Sequence, residues 1–142
     1  MNHTAPLVPE LIVSDIARSR AFYIDVLGFE VLWERPEEGF AYLGREGAEL
    51  MLDELTDRSA ERGFLIGQLE PPFGRGINLQ IRVSNVEALQ AATVRSGAHI
   101  TLPLEEKWYR AGEKYLGNRQ FIVADPDGYL LRLFEDLGAR SI

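Results

Sequence analysis

Groups that can do chemistry are few in this chain, and their types narrow what that chemistry is. The 142 residues include no cysteine and two histidines, His3 and His99. Disulfides, thiolate nucleophiles and cysteine-based zinc sites are therefore excluded. His3 falls in a terminal tail, and His99 lies two positions past Gly97 at a strand entry, where a surface or capping role is expected of it. The remaining candidates are aromatics beside carboxylates. Trp33 adjoins Glu34, Glu37 and Glu38, and Trp108 adjoins Glu105 and Glu106. A ring face next to negative charge suits a flat or cationic ligand, although either tryptophan serves equally well in a core or an interface. Phe40, Tyr42, Phe73 and Tyr109 extend the aromatic set, with Asp53 and Asn78 as polar partners; alternation along a hairpin accounts for Phe40 and Tyr42 equally well. Arg132 is the anomaly, a single cation in the apolar run YLLRLFE (129–135). Its favoured role is a structural pair with a carboxylate such as Asp53 or Glu49, and the other role is bidentate binding of an anionic ligand group from a cavity face.

The composition, 46% hydrophobic and 26% charged, is that of a soluble globular chain of about one domain. No apolar stretch reaches the roughly 20 residues a membrane span needs, and the start MNHTAPLVPE has no basic segment followed by an apolar one. A cytoplasmic location and no membrane partner are expected. The formal charge of −7 repels phosphate backbones, so nucleic acid is not expected as a partner. It favours cationic small molecules, and it also simply promotes solubility.

These side chains must be positioned by a repeated scaffold. Residues 11–16 read LIVSDI and residues 81–86 read IRVSNV, so Val13, Ser14 and Asp15 correspond to Val83, Ser84 and Asn85. Each copy is a strand running into a helix cap, where a Ser, Asp or Asn side chain accepts from a free amide of the first turn. IARSRAFYIDVLG places Ile16, Ser19, Phe22, Tyr23, Val26 and Leu27 on one helical side and stops at Gly28; VEALQAATVRSG does the same with Val86, Leu89, Ala92 and Thr93 and stops at Gly97. Strands follow at 29–35 and 98–106. Residues 40–55 predict a hairpin turning at Gly44 to Gly47, and 118–136 one turning at Asp125 to Gly128. The order in both copies is strand, helix, three strands. Residues 36–39 interrupt the first copy between its second and third strands, and 107–117 are expected to interrupt the second. The modules span 8–55 and 77–136, joined by a glycine- and proline-containing connector, 56–76, with one short helical turn, all within one domain of residues 1–142.

Two βαβββ copies carrying V-S-D (13–15), A-F-Y-x-D-x-L-G-F (21–29) and D-P-D-G-Y-L-L (125–131) resemble the vicinal oxygen chelate superfamily, which includes glyoxalase I, extradiol dioxygenases, and fosfomycin- and bleomycin-resistance proteins. The resemblance runs from about Val8 to Glu135. It implies an α+β fold of two open, cup-shaped mixed sheets, with a divalent metal held at four positions in the metal-dependent members. Those positions fall here on Val8, Met51, Asn78 and Arg132. An aliphatic group, a thioether, an amide and a guanidinium make a poor seat for a hard cation, so neither a metal nor another cofactor is expected.

Within the superfamily the resemblance is nearest to the bleomycin-resistance proteins, whose first strand carries a proline like Pro9 and whose last can end in L-L-R-L. That likeness implies a non-enzymatic role: an acidic homodimer that sequesters a cationic, aromatic compound in grooves between subunits, with an N-terminal arm exchanged at Pro9. An ordinary edge strand is an equally good reading of that proline. The aromatic-glycine pair of those proteins is here Leu116-Gly117, with Trp108 and Tyr109 nearby as substitutes. The alternatives from other classes are a metal-dependent lyase, isomerase or dioxygenase using Asp53, Glu49 and Asn78, and a metal-free enzyme with a Tyr or Glu acid/base pair.

Overall fold

Both helices start as their caps require. In the computed structural model, which describes residues 5–142 and so leaves His3 outside the described residues, Asp15 accepts from the Arg18 amide and Asn85 from the Ala88 amide, each at 3.1 Å. A second carboxylate closes each helix start from the last strand of its own module: the Ile16 amide donates to Glu54 at 2.9 Å and the Val86 amide to Glu135 at 3.2 Å. The repeat is therefore a repeat of interactions as well as of residue types.

The first module comprises β1 (Glu10–Val13), α1 (Ile16–Ala21) continuing into a π-helical turn (Phe22–Val26), β2 (Glu30–Arg35), a 3-10 turn (Pro36–Glu38), β3 (Phe40–Arg45) and β4 (Ala48–Glu54). The connector contributes α2 (Asp57–Glu61). The second module comprises β5 (Asn78–Arg82), α3 (Val86–Arg95), β6 (His99–Ala111), β7 (Lys114–Ala124) and β8 (Leu130–Ser141). Each module builds one open, mixed four-stranded sheet, in the orders β1-β4-β3-β2 and β5-β8-β7-β6. The outer pairs β1/β4 and β5/β8 are parallel and the rest antiparallel. The α+β class and the two open βαβββ sheets are thus as expected.

The chain divides into two compact units. The first runs through Phe73 and includes the Pro126–Gly128 turn, and the second comprises Gly74–Asp125 and Tyr129–Ile142. In the first, α1 and the π-turn bury Ser19, Phe22, Tyr23 and, just beyond, Leu27, against Val13, Leu43 and Leu52 of the sheet layer. In the second, Val86 and Leu89 of α3 belong to the same core as Val83, Phe121, Val123, Leu131 and Leu133. Strand periodicity then explains the place of Arg132: Leu131 and Leu133 point to the helix side, so Arg132 and Phe134, both half-buried, point to the opposite face.

One expectation is corrected. Residues 107–117 do not interrupt the second module. β6 and β7 run on through them and close in a two-residue loop, Gly112-Glu113, with Ala111 paired to Lys114 and Gly112 at φ 68. Alternating side chains in KWYRA and KYLG flank a turn that only glycine forms without strain at that φ, which is a hairpin pattern. β8 likewise extends past residue 136 and pairs as far as Ser141.

The Asp-Pro-Asp-Gly turn has two jobs. Asp125 closes it: its amide donates to the Tyr129 carbonyl at 2.8 Å, and its carboxylate accepts from the Tyr129 amide at 2.9 Å. Asp127, 5% exposed, belongs to the first unit, where it accepts from the Ser14 amide at 3.0 Å and the Ser14 hydroxyl at 2.5 Å, while its carbonyl accepts from the Phe73 amide at 2.8 Å.

Candidate functional site

The open face of the first sheet carries every second residue of its strands. The register sets Glu10 beside Met51, Met51 beside Tyr42 and Tyr42 beside Trp33; one step along, Asp53, Phe40 and Arg35 form the next row. A register shift between Val31 and Trp33 brings the indole into this row. The 3-10 turn and α2 add walls around this face, leaving a cavity of about 500 Å³ lined by Glu10, Trp33, Phe40, Met51, Asp53 and Phe64 among others.

Its aromatic wall is layered. Trp33 stacks on Tyr42 with centroids 5.2 Å apart and planes 16° from parallel, and lies 5.2 Å from Phe40. Tyr42 itself is 1% exposed and donates to the Glu49 carboxylate at 2.6 Å. Burial, and then that carboxylate, push the phenol up to about 12. Tyr42 and Glu49 are therefore a locked pair that backs Trp33, and an acid/base role at neutral pH does not suit so high a value. The guanidinium of Arg35 sits 4.1 Å from the Phe40 centroid and 5.3 Å from Trp33, and it pairs with Glu38.

The carboxylates divide into engaged and unengaged groups. Glu38 is taken by Arg35, and Glu54 by the α1 amide. Glu10 and Asp53, both half-buried, have no hydrogen bond or ion pair among the described residues. Burial raises the pKa of each above its ordinary value; the Asp53 charge raises Glu10 further and Glu38 raises Asp53, while Arg35 and Arg62 work in the opposite direction on both. Two half-buried carboxylates beside an aromatic wall, attracted through space by Arg35 and Arg62 but hydrogen-bonded to neither, can still accept a cation between them. Their linkage has a definite sign. A carboxyl raised on folding stabilises the native state only while protonated, so that contribution is lost as pH rises through the raised value. Cation binding runs the other way, because it needs the charged form. Affinity for a cationic ligand is expected to be full at neutral pH and to fall on acidification sooner than ordinary carboxylates allow, as titrations across pH 4 to 8 will show.

The sequence candidates do not all meet here. Trp33, Phe40 and Asp53 line this cavity, with Tyr42 behind Trp33. Phe73 lies elsewhere in the first unit, its amide held by Asp127. Asn78, Trp108, Tyr109 and Arg132 belong to the second unit. Trp108 does not correspond to Trp33: two register shifts in β6 make Leu102, opposite Ile122, the counterpart of Trp33, opposite Tyr42. Trp108 lies further along β6 over Gly117, where an added Cβ would stand 2.7 Å from the ring, and it meets the Arg140 guanidinium at 4.1 Å. The Gly117 expected to follow an aromatic thus accommodates one from the neighbouring strand. Arg132 makes no ion pair among the described residues, and the carboxylates expected to pair with it, Asp53 and Glu49, belong to the other unit; within its own unit its partner is Tyr109, at 3.5 Å.

Glu10 escaped the sequence reading. The signal was present: a charge two residues before Ile12 in a strand entry, on the same face as Met51 and Asp53, is the same kind of anomaly as Arg132. The four positions that the resemblance assigns to a metal hold Val8, Met51, Asn78 and Arg132, and among the described residues no three His, Cys, Asp or Glu side chains converge. This donor set does not fit a divalent ion.

Comparison with known proteins agrees with the geometry. The family model described as the Glyoxalase/Bleomycin resistance protein/Dioxygenase superfamily matches residues 1–133. A bleomycin resistance protein of Geobacillus stearothermophilus is 29% identical over 136 residues, covering 92% of this chain and 96% of that one, and one of Staphylococcus aureus matches equally. Among solved structures, a protein of unknown function from Agrobacterium tumefaciens str. C58 is 25% identical with TM-score 0.69, covering 96% of this chain and 98% of that one. TioX from Micromonospora sp. ML1 shares the fold at 23% identity and TM-score 0.70, covering 94% of this chain and all of the other.

Proposed function

The chain belongs to the glyoxalase/bleomycin resistance protein/dioxygenase superfamily, and from that premise we propose that it is a metal-independent binding protein that sequesters a flat, cationic small molecule in the first-unit cavity. The observation that carries this reading is the pair Glu10 and Asp53, unpartnered carboxylates beside the Trp33 and Phe40 rings. A planar cation stacked on Trp33 would supply the hydrogen-bonded partner they lack, combining ring contact with charge-assisted hydrogen bonds. Metal independence is supported by the unsuitable groups at the four ligand positions. The named relatives make bleomycin the first compound to test, and the net charge of −7 favours its approach.

The same resemblance supports a homodimer whose groove completes the seat, with the arm before β1 exchanged at Pro9. Pro9 offers only its carbonyl, which accepts from the Met51 amide at 2.9 Å, so its own missing donor leaves no bond unmade there. Light scattering at twice the 16.0 kDa chain mass supports the dimer, and a monomer mass removes it.

The experiment is a titration of the chelator-treated protein with metal-free bleomycin, followed by tryptophan fluorescence. Saturable quenching that disappears in Trp33→Phe and persists in Trp108→Phe is the expected outcome. Quenching carried by Trp108 alone would place the seat elsewhere, and no saturable change would remove this ligand class.

A further inference from the structure

The open face of the second sheet is built differently, and its hydrogen-bond inventory does not close. At its centre Gln120, fully buried, spends every group it has on neighbours of the same face. Its amide nitrogen donates to Glu105 and to the Tyr109 hydroxyl, each at 2.7 Å, and its carbonyl accepts from Asn118 at 3.2 Å. The Tyr109 oxygen thus accepts from Gln120 and, at 3.5 Å, from Arg132. Both its acceptor sites are used, and its own O–H proton is left over.

Arg132 leaves more unspent. Its Nε is buried with no acceptor, its one hydrogen bond is the long one to Tyr109, and no carboxylate lies within ion-pair distance among the described residues. Glu105 is engaged through Gln120 and not by the guanidinium. Arg82 joins the same face from β5, beside Phe134 in the register and likewise without an ion pair among the described residues. The Arg132 Nε is thus the one donor of its guanidinium that is both buried and unsatisfied, a cost that the long Tyr109 contact does not remove, and the remaining donors are open to a ligand.

We infer that Arg132 and the Tyr109 hydroxyl form a carboxylate-binding subsite on the open face of the second unit. One ligand oxygen accepts a hydrogen bond from the Tyr109 O–H and the other a charge-assisted one from a guanidinium N–H. Ile122, beside Arg132 in the register, and Phe134, one step along β8, give this cation an apolar surround. The fitting ligand is therefore a carboxylate on an apolar body, an aromatic or branched aliphatic acid, and not inorganic phosphate. The residues of this subsite all belong to the second unit, and those of the cavity to the first. The subsite also reverses the cavity's charge: the register counterpart of Arg132 is Met51, and that of Gln80 is the unpaired Glu10.

The test uses the full chain in low-salt buffer, with benzoate as probe and the Arg132 Nε–H proton resonance as readout, a signal that burial should keep visible. Benzoate should shift that resonance saturably, while its neutral analogue benzyl alcohol and inorganic phosphate should not. Arg132→Met, which installs the residue of the first unit, should abolish binding, and Tyr109→Phe should weaken it about tenfold, the loss of one charge-assisted hydrogen bond. In Arg132→Met the quenching of Trp33 by a cationic ligand should be unchanged, which separates this inference from the proposed function. No saturable shift in the wild-type chain, equal binding of benzyl alcohol, or undiminished binding by a folded Arg132→Met variant would overturn it.

Discussion

Replacing Glu10 with Gln and Asp53 with Asn together is expected to weaken binding of a cationic aromatic ligand about a hundredfold, or some 3 kcal/mol, when each lost contact to the charge counts for roughly half of that. The same double variant should melt at a higher temperature than the wild type at neutral pH. The two effects have one cause. Both carboxyls are raised by burial, and neither has a hydrogen bond or ion pair among the described residues. Keeping them charged costs folding free energy that Arg35 and Arg62 offset only in part, and a cationic ligand would recover more of it. Binding sites commonly hold such strain, and removing it stabilises the chain while disabling the site. Calorimetric titration and thermal melting of one preparation measure both. A variant that loses stability together with affinity would show that the two carboxylates are structural.

Gly128→Ala should destabilise the chain by about 3 kcal/mol, summing the left-handed backbone penalty with the cost of overpacking. Gly128 sits at φ 91, and a Cβ there would collide with Pro72 Cβ and stand 2.7 Å from its Cα. Backbone cannot rotate away as a side-chain tip can. The displaced turn would also pull Asp127 from Ser14 and from the Phe73 amide, the bonds that anchor residues 126–128 in the first unit. Urea denaturation measures the change. A loss below about 0.5 kcal/mol, the scale of an ordinary surface substitution, would mean that the turn is not seated on Pro72. Gly47, at φ 92 with nothing within 4 Å of its added Cβ, is the control, since alanine there meets only the backbone penalty.

What was legible in the sequence is what local chemistry writes there. Asp15 and Asn85 mark the helix starts because a capping side chain reaches only two or three residues along. The paired LIVSDI and IRVSNV segments gave the duplicated module, and alternation gave the strands. Long-range partners left no such mark. Nothing in the neighbourhood of Glu54 or Glu135 announces that each closes a helix more than thirty residues earlier in the chain, at Ile16 and Val86. Bulges were equally silent: the two register shifts in β6 separate Trp108 from the place of Trp33, though their flanking acidic runs look alike. The stretch 107–117 misled for a different reason. Its charged residues and glycines resemble a loop, yet Gly112 stands at the two-residue turn and Lys107, Arg110 and Lys114 are exposed residues of long strands. Arg132 was recognisable as an anomaly, but its partner was not, because Tyr109 faces it only through the register of three strands.

The claim on which the account rests is that unpaired carboxylates on an aromatic wall, and no metal ion, capture a cation. Isothermal titration of chelator-treated protein with metal-free bleomycin at pH 7, repeated after adding back a divalent transition metal to the protein alone, tests it most directly. The account predicts one saturable, salt-sensitive transition in the chelated protein, unchanged by metal and lost in the Glu10→Gln/Asp53→Asn variant. Binding that appears only when metal is restored, or that survives removal of both carboxylates, would contradict it.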